Sequence, residues 1–300
     1  MKIAHLSTSK RSDGDFTGVP KFAWYFQRAM QFKGVECDIL VPNEKDLNQY
    51  DVIVGDGYFA PNPLHKDQIV ISVVHGTWAE WATRNNCVDA FKFEILRQKN
   101  TWNNPNIKVV CCSEQDMHYL PLHYGRTADK LILHGVDTEL FKPCPEKIER
   151  GLILHTATNT CKSAHGLLDR VGNTLKKHGY RFDAANVWDG KEHERYQQAE
   201  LYFNPSFHEG NSYACLEFMS LGTPMVVSDT GLFYNIQDMY YRNRVAEILA
   251  WKSTEEQYVS VILSALAGKD TYNPRRWVLQ NATFEIFADN WYNYIGSLLW

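Results

Sequence analysis

Two glutamates in the second half of the chain, Glu209 and Glu217, lie on either side of a predicted helix start near Ser212. The first backbone N–H groups of a helix have no partner within it, and the helix dipole adds positive charge there, so this end suits a phosphate or diphosphate. Gly210 lets the backbone approach such a group closely. At 1.5 Å per residue Glu217 lies roughly 7 Å along the helix, where it can accept hydrogen bonds from ribose hydroxyls. Glu209 would face whatever the distal phosphate carries.

The elements around these residues alternate between short apolar runs and helical patterns. Nearly continuous apolar runs are typical of strands covered on both faces, and strands alternating with helices indicate a doubly wound α/β fold. The predicted strands are residues 3–6, 36–41, 51–55, 69–75, 107–112, 151–155, 187–188, 201–203 and 224–228. The predicted helices are residues 20–34, 163–177, 193–200, 212–221 and 284–300. This pattern predicts two Rossmann-like domains with parallel sheets.

The boundary between the two domains is predicted at Lys142-Pro143-Cys144-Pro145, because two prolines discourage both helix and sheet. The first domain covers residues 1–143 and the second covers residues 144–284. The aromatic, amphipathic tail at about 285–300 is expected to form a closing helix.

Four segments, taken together and in order, resemble one known family. The spacing Glu209-x7-Glu217 followed by LGTPMVVSD closely resembles the signature of GT-B glycosyltransferases of family 4 (glycosyl transferases group 1). LILHGVDTELFKP (131–143), VVHGTW (73–78) and VVCCSE (109–114) resemble three further segments of that family. The resemblance implies a compact GT-B architecture, with the two sheets facing an interdomain cleft and a hinge near residues 136–145. By resemblance, the C-terminal helix crosses back onto the first domain.

The resemblance implies a retaining, metal-independent hexosyltransferase that moves a sugar from a nucleotide-sugar donor to a glycan, lipid or other hydroxyl acceptor. In the donor site, Glu217 would hold the ribose and Glu209 would contact the sugar. The diphosphate would be cradled by the backbone of a short segment, namely Gly210, Asn211, Ser212 and Tyr213. No cofactor and no metal is expected beyond the donor substrate.

Three further residues receive roles from the same resemblance. Gly18, in the first loop, would leave room for the diphosphate and the acceptor. His75, at the end of a predicted strand, would hydrogen-bond the transferred sugar at its reacting face. Lys162 falls where the family places a phosphate-binding lysine.

The chain departs from the family pattern at three places. An arginine is usual a few residues before Lys162, where this chain has residues 157–160 (ATNT), so Arg195 or Arg244 is a candidate substitute. A strand–helix unit usual between Lys177 and the strand at 187–188 is not found. His134 stands where asparagine is usual.

Three alternative functions stay open, and the missing arginine and the missing strand–helix unit motivate the first of them. One is a non-catalytic nucleotide-sugar-binding protein, another is a sugar-nucleotide epimerase, and a third is an enzyme that glycosylates modified bases in DNA.

Other chemistry-bearing residues have simpler explanations. Asp13-Gly14-Asp15 resembles the metal motif of the other glycosyltransferase fold, but fits a solvated loop after the first strand better. His118 and His123 have the wrong spacing for two ligands on one helical face, and Cys111-Cys112 is expected to be buried packing. Trp78, Trp81 and Arg84 either stack on a sugar or pack together.

Composition limits the partners. The chain has 300 residues, 44% of them hydrophobic, and a formal charge of −4, which argues against nucleic acid as a partner. Seven cysteines without a CxxC pair predict neither a disulfide framework nor a zinc ribbon. No signal-peptide core and no long apolar run is found, so a cytoplasmic location is expected. A peripheral membrane contact stays open, and the oligomeric state is not predicted.

Overall fold

The structure, a computed structural model, describes residues 1–7, 18–41, 46–156, 166–185, 191–234 and 244–299. The chain divides into two compact units, one of Met1–Gly135 with Phe284–Trp300 and one of Val136–Thr283. Each unit contains one parallel sheet, with helices between its strands. The α/β prediction with two Rossmann-like domains is confirmed.

The first unit has a six-stranded parallel sheet in the order β2-β1-β3-β4-β5-β6. Its strands are β1 (Lys2–Leu6), β2 (Glu36–Leu40), β3 (Val52–Asp56), β4 (Ile69–Val74), β5 (Ile107–Cys111) and β6 (Lys130–Leu131). Its helices are α1 (Gly18–Phe32), α2 (Trp78–Arg84), α3 (Lys92–Trp102), α4 (Glu114–Tyr124) and the C-terminal helix Phe284–Leu299. The central strands β3 and β4 are buried almost throughout, which is why their sequences read as continuous apolar runs.

The C-terminal helix packs against α1 through aromatic rings. Trp291 meets Phe26 edge to face at 5.0 Å between ring centroids, and Phe287 meets Phe22 in the same way at 5.9 Å. Such pairs add to the apolar burial that stabilises the contact. The last residues of the chain are therefore part of the first unit.

The second unit has a five-stranded parallel sheet in the order β11-β10-β9-β7-β8. Its strands are β7 (Leu152–His155), β8 (Arg181–Ala184), β9 (Leu201–Asn204), β10 (Met225–Ser228) and β11 (Glu247–Leu249). Its helices are α5 (Leu167–Lys177), α6 (Glu192–Tyr196), α7 (Tyr213–Leu221), α8 (Glu255–Ala267) and α9 (Pro274–Asn281).

Helix α7 is held over β9 by a stack of rings. The ring of Phe218 lies 4.0 Å from that of Tyr202 on β9 and 4.3 Å from that of Tyr196 on α6, both nearly parallel. Gly222 ends the helix with a left-handed backbone (φ +77°), which glycine adopts without strain. These contacts hold α7 in place and so fix the position of its N-terminal end at Ser212.

Strand β8 was not predicted from the sequence. It is an edge strand in which buried Phe182 lies between the charged residues Arg181 and Asp183, so it shows no apolar run. Charged side chains are common on edge strands because they discourage further pairing. The strand predicted at 187–188 lies outside the described residues, as do residues 163–165 of the predicted helix.

The division between the units falls at Gly135 and Val136, ahead of the prolines at which the sequence analysis places it. The backbone N–H of Val136 donates to the carbonyl of Ala282 at 3.0 Å, and Ser220 Oγ donates to the carbonyl of Phe141 at 2.7 Å. Residues 136–141 are therefore tied to the second unit.

Within the described residues, no helix combines the length and apolar character needed to cross a bilayer. The cysteines in this part of the chain are all free thiols.

Candidate functional site

The predicted helix start in the second unit is formed as expected. Ser212 is the N-cap of α7 and has an extended backbone, and its Oγ accepts a hydrogen bond from the backbone N–H of Cys215 at 3.4 Å. One of the helix's first N–H groups is thus satisfied by the cap, while the positive end of the helix dipole stays at this terminus. Since α7 follows β9, this end lies by the carboxyl edge of the sheet, where α/β folds bind ligands.

The loop before α7 is pressed against Gly231, a residue that the sequence analysis did not single out. A Cβ atom at Gly231 would lie 2.3 Å from the carbonyl oxygen of Gly210 and 2.8 Å from Cβ of Glu209. Gly231 also has φ +57°, where side chains are strained. Only glycine therefore fits here, and its close approach sets the position of Glu209 and Gly210.

Two buried asparagines at this place have unsatisfied polar atoms. Asn211 is 5% exposed, and neither its Oδ1 nor its Nδ2 has a hydrogen-bond partner within the described residues. Asn204, at the end of β9, donates to Cys215 Sγ at 3.4 Å, while its Oδ1 has no partner in the same part of the chain. Unsatisfied buried amides are costly, so they mark places where a ligand can supply the missing hydrogen bonds.

A narrow crevice lies beside these residues. It is lined by residues from the loop, from the first turn of α7 and from the end of β10, namely Asn204, Glu209, Ser212, Cys215, Val227, Ser228, Thr230, Leu232 and Phe233. Glu209 and Ser212 are half-buried, so both are reachable from solvent.

The two glutamates have different surroundings. Glu217 is buried, with 1% of its surface exposed, and faces Tyr196. Burial raises the pKa of the Tyr196 hydroxyl well above its usual range, and the negative charge of Glu217 raises it further. Glu209 has different neighbours, because its negative charge raises the pKa of the Tyr202 hydroxyl and of the Cys215 thiol. Glu209 is therefore a half-buried residue just before α7, whereas Glu217 is a buried residue within it.

In the first unit, His75 directly follows β4 and contacts a buried carboxylate. Its Nε2 lies 2.9 Å from Oδ1 of Asp56, the last residue of β3, and Nε2 of His5 lies 3.1 Å from the same oxygen. Burial alone would raise the pKa of Asp56, but the two imidazoles outweigh it and hold that pKa below its usual range. Asp56 is thus ionised, and both Nε2 atoms donate to it.

Two further side chains meet His75 at the same edge of the sheet. Cys112 directly follows β5, and His134 lies beyond β6; both are buried. One donor atom from each of His75, Cys112 and His134 lies within 4.8 Å of the others.

The remaining predicted site residues are placed as follows. Gly18 is the first residue of α1, is exposed, and has open space where a Cβ would lie. Lys162 and the Asp13-Gly14-Asp15 motif lie outside the described residues, so their predicted roles stay predictions.

The two arginines proposed to replace the family's usual one have local partners. Arg195 donates to Gln198 at 2.7 Å and to Asp183 at 3.2 Å. The guanidinium of Arg244 lies 4.8 Å from the ring centroid of Tyr272. Both are already engaged within the second unit.

The aromatic residues of the acceptor-side prediction pack with one another. Trp78 stacks on Phe91 at 5.1 Å, and Trp81 meets the same ring edge to face at 4.7 Å. Arg84 is paired with Glu80 at 2.5 Å. Of the two roles open for these residues, packing is the one that the contacts support.

His123 also pairs with Glu80, at 2.9 Å. This contact agrees with the structural role expected for His123.

Comparisons with known proteins identify the fold. No family model matches the chain, and no curated protein matches it. Among solved structures, a sucrose-phosphate synthase from Thermosynechococcus elongatus overlays with a TM-score of 0.79 at 13% identity, covering 99% of each chain. A glycosyltransferase from Rickettsia africae ESF-5 gives 0.68 at 14% identity, covering 99% of this chain and 98% of its own. HepE from Anabaena, solved in complex with UDP-glucose, gives 0.66 at 11% identity, covering 99% and 100%.

This chain has the GT-B fold. These structures have the predicted architecture of two Rossmann-like domains. At identities of 11–14%, the likeness is one of fold.

Sequence reasoning missed Asp56, His5 and Gly231. A carboxylate that ends a buried strand was a usable signal for Asp56, because functional groups concentrate at that edge of a GT-B sheet. For Gly231 the signal was a glycine shortly after a strand, in DTG, which marks a close backbone approach.

Proposed function

We propose that this chain is a retaining, metal-independent glycosyltransferase that moves a sugar from a nucleoside-diphosphate-sugar donor to a hydroxyl acceptor. The observation that carries the proposal is the start of α7. There Gly231 holds the Glu209–Gly210 loop in place, and the buried amide of Asn211 lacks hydrogen-bond partners within the described residues.

The donor's diphosphate fits the beginning of α7. Backbone N–H groups and the helix dipole are fixed by the fold, so they stabilise negative charge without reorganising. The side chain of Asn211 adds an amide donor to this set. HepE, with the same fold, was solved with UDP-glucose, which supports a nucleotide sugar as the donor here.

The two glutamates divide the rest of the donor between them. Glu217, within α7, takes the ribose hydroxyls, and Glu209, just before α7, takes hydroxyls of the transferred sugar. This division is the one that the family resemblance implies, and the half-buried position of Glu209 next to the crevice supports its part. Replacing Glu217 should therefore weaken donor binding, and replacing Glu209 should lower sugar transfer.

During transfer the bond from the sugar's anomeric carbon to the diphosphate oxygen breaks, and a bond to the acceptor oxygen forms on the same face. The acceptor's proton leaves with the diphosphate or to solvent. Negative charge grows on the leaving diphosphate, so preorganised N–H groups and Lys162 would stabilise the transition state. His75, with Nε2 committed to Asp56, would use Nδ1 to hold the sugar.

A donor panel with mass detection of products tests the proposal, using Glu217→Gln, Glu209→Gln and Glu255→Gln. Glu255 is a matched control, because it is a glutamate of the same unit held by Thr174 Oγ1 at 2.7 Å. We expect a sugar–acceptor product from the unaltered chain. We also expect donor binding weakened roughly tenfold or more by Glu217→Gln and transfer lowered with binding kept by Glu209→Gln.

Other outcomes point to the alternatives. Donor converted without an acceptor would indicate an epimerase, and donor bound but never consumed would indicate a binding protein. Glycosylated DNA, with DNA offered as an acceptor, would indicate a base-modifying enzyme. Equal activity of all three variants would contradict the assignment of both glutamates.

A further inference from the structure

Three metal-binding side chains lie together at the carboxyl edge of the first sheet. His75 follows β4, Cys112 follows β5, and His134 lies beyond β6, so they come from three neighbouring strands. The residues are far apart in sequence, and only the parallel sheet brings them together. Their donor atoms lie within 4.8 Å of one another.

These separations are close to those of a metal site. Zinc binds nitrogen at about 2.0–2.1 Å and sulfur at about 2.3 Å, so tetrahedral ligand atoms lie roughly 3.3–3.8 Å apart. Side-chain rotations that shift each donor by about 1 Å or less would close the set. Rotations of this size change the side chains and leave the backbone of the sheet in place.

One of the three ligands already has the support that metal-binding histidines have. His75 donates Nε2–H to buried Asp56, which holds the ring and leaves Nδ1 as the nitrogen for a metal. A carboxylate on the far nitrogen orients the imidazole and raises its basicity. His75 is also 14% exposed, which gives an ion a route from solvent.

We propose that His75, Cys112 and His134 bind a thiophilic divalent metal, with Zn²⁺ the best fit. One thiolate and two imidazoles suit zinc or cobalt and disfavour Mg²⁺ and Ca²⁺, which take oxygen ligands. On binding, the Cys112 thiol loses its proton to solvent as the metal–sulfur bond forms, and its hydrogen bond to the carbonyl of Val74 (3.0 Å) is given up. A water fills the fourth position.

The metal would oppose sugar transfer. This step rests on the proposed function, in which His75 uses Nδ1 to hold the sugar. A metal on that nitrogen removes it from the reaction, so the ion acts as an inhibitor, while transfer itself needs no metal there.

Cobalt titration of metal-stripped protein tests the site directly, because a thiolate–Co²⁺ bond gives a charge-transfer band in the near ultraviolet. The variants are Cys112→Ser, His134→Asn and the control Cys37→Ser, another buried free thiol of the same sheet. We expect the band in the unaltered chain and in Cys37→Ser, its loss in Cys112→Ser, and at least tenfold weaker binding in His134→Asn. A band that survives Cys112→Ser, or no band in the unaltered chain up to millimolar Co²⁺, would overturn the proposal.

Transfer assays separate this proposal from the proposed function. We expect Zn²⁺ to inhibit the unaltered chain and Cys37→Ser, with Cys112→Ser resistant. Transfer without a cobalt band would refute the metal site and keep the glycosyltransferase. A band that behaves as expected, with no transfer from any donor, would keep the metal site and refute the glycosyltransferase.

Discussion

Oδ1 of Asp56 lies 2.9 Å from Nε2 of His75, and this contact decides which ring nitrogen of His75 is committed. The same oxygen also accepts a hydrogen bond from Nε2 of His5 at 3.1 Å. Although Asp56 is buried, the imidazoles of His5 and His75 hold its pKa below its usual range, so the carboxylate stays ionised at neutral pH. The imidazole of His75 is therefore held with Nδ1 directed away from Asp56.

Asp56→Asn should lower sugar transfer without weakening donor binding. An amide presents only one acceptor oxygen and no charge, so His75 loses its fixed tautomer and orientation. Misplacing a reacting group in this way costs roughly 10–100-fold in kcat. Steady-state kinetics measures this fall, and ¹⁵N NMR of the His75 ring should show a mixture of tautomers in place of one.

Asp38→Asn is the control for this variant. Asp38 lies on β2 of the same sheet and accepts a hydrogen bond from the Tyr50 hydroxyl at 2.7 Å. We expect its kcat to be unchanged. A normal kcat and a single tautomer in Asp56→Asn would contradict the positioning role.

Gly231→Ala should weaken nucleotide binding because its methyl group would displace the Glu209–Gly210 loop. The cost has two parts, about 1–2 kcal/mol for a left-handed alanine and about 1–3 kcal/mol for the overlap. Urea unfolding measures the stability, and calorimetric titration with UDP and other nucleoside diphosphates measures the binding.

Gly222→Ala provides the comparison, since its backbone is also left-handed (φ +77°) but its Cβ would meet only Pro143 Cγ, at 3.9 Å. This control should lose about 1–2 kcal/mol of stability and keep its nucleotide affinity. Equal nucleotide affinities in Gly231→Ala and Gly222→Ala would show that Gly231 does not determine the position of the Glu209–Gly210 loop.

What the sequence predicted well was encoded locally. The start and end of α7 were readable because a serine N-cap and a glycine C-cap act within a single helix, as Ser212 and Gly222 do. Central strands were readable because burial on both faces selects continuous apolar runs, as in β4. Resemblance then placed these local signals in the GT-B fold.

What the sequence did not predict depends on contacts across the fold. Asp56 meets His75 because β3 and β4 are neighbours, and Gly231 meets Gly210 because β9 and β10 are neighbours. The edge strand β8 was missed because one buried residue among charged ones gives no periodic pattern. Pairings of this kind are set by topology, which residue spacing alone does not reveal.

Arg275→Gln should destabilise the second unit. Nη1 of Arg275 donates to the carbonyls of Ser220 at 2.6 Å, Phe141 at 3.2 Å and Thr138 at 3.2 Å. These bonds satisfy carbonyls at the end of α7 and tie residues 138–141 to it, and hydrogen bonds from a charged group contribute about 1.5–3 kcal/mol. Urea unfolding should show a loss of about that size.

Arg276→Gln, one residue further along the same helix, is the control for this variant. The side chain of Arg276 is not needed for the cap of this helix, because Asn273 Oδ1 accepts from the backbone N–H of Arg276. We expect this change to leave stability within about 0.5 kcal/mol of the unaltered chain. A loss as large as that of Arg275→Gln would mean that charge alone, rather than the three carbonyl contacts, is what matters.

Asp116→Asn should change how stability depends on pH. Burial raises the pKa of Asp116 to about 7, and the hydrogen bond from Ser113 Oγ at 2.8 Å offsets this only in part. Because the unfolded pKa is about 3.9, the folded chain binds more protons between about pH 4 and pH 7. Stability contributed by this group is therefore full below pH 4 and is lost as pH rises through 7.

Asparagine cannot ionise, so the variant should lose this slope and become more stable than the unaltered chain at pH 8, by at most about 4 kcal/mol. Denaturant unfolding at intervals from pH 4 to pH 8 measures the effect. Asp89→Asn is the control, because Asp89 is exposed and its pKa is lowered by Lys92, so it does not titrate in this window. A slope that persists in Asp116→Asn would mean that another group takes up the proton, since the carboxyl of Asp116 would no longer be there to do so.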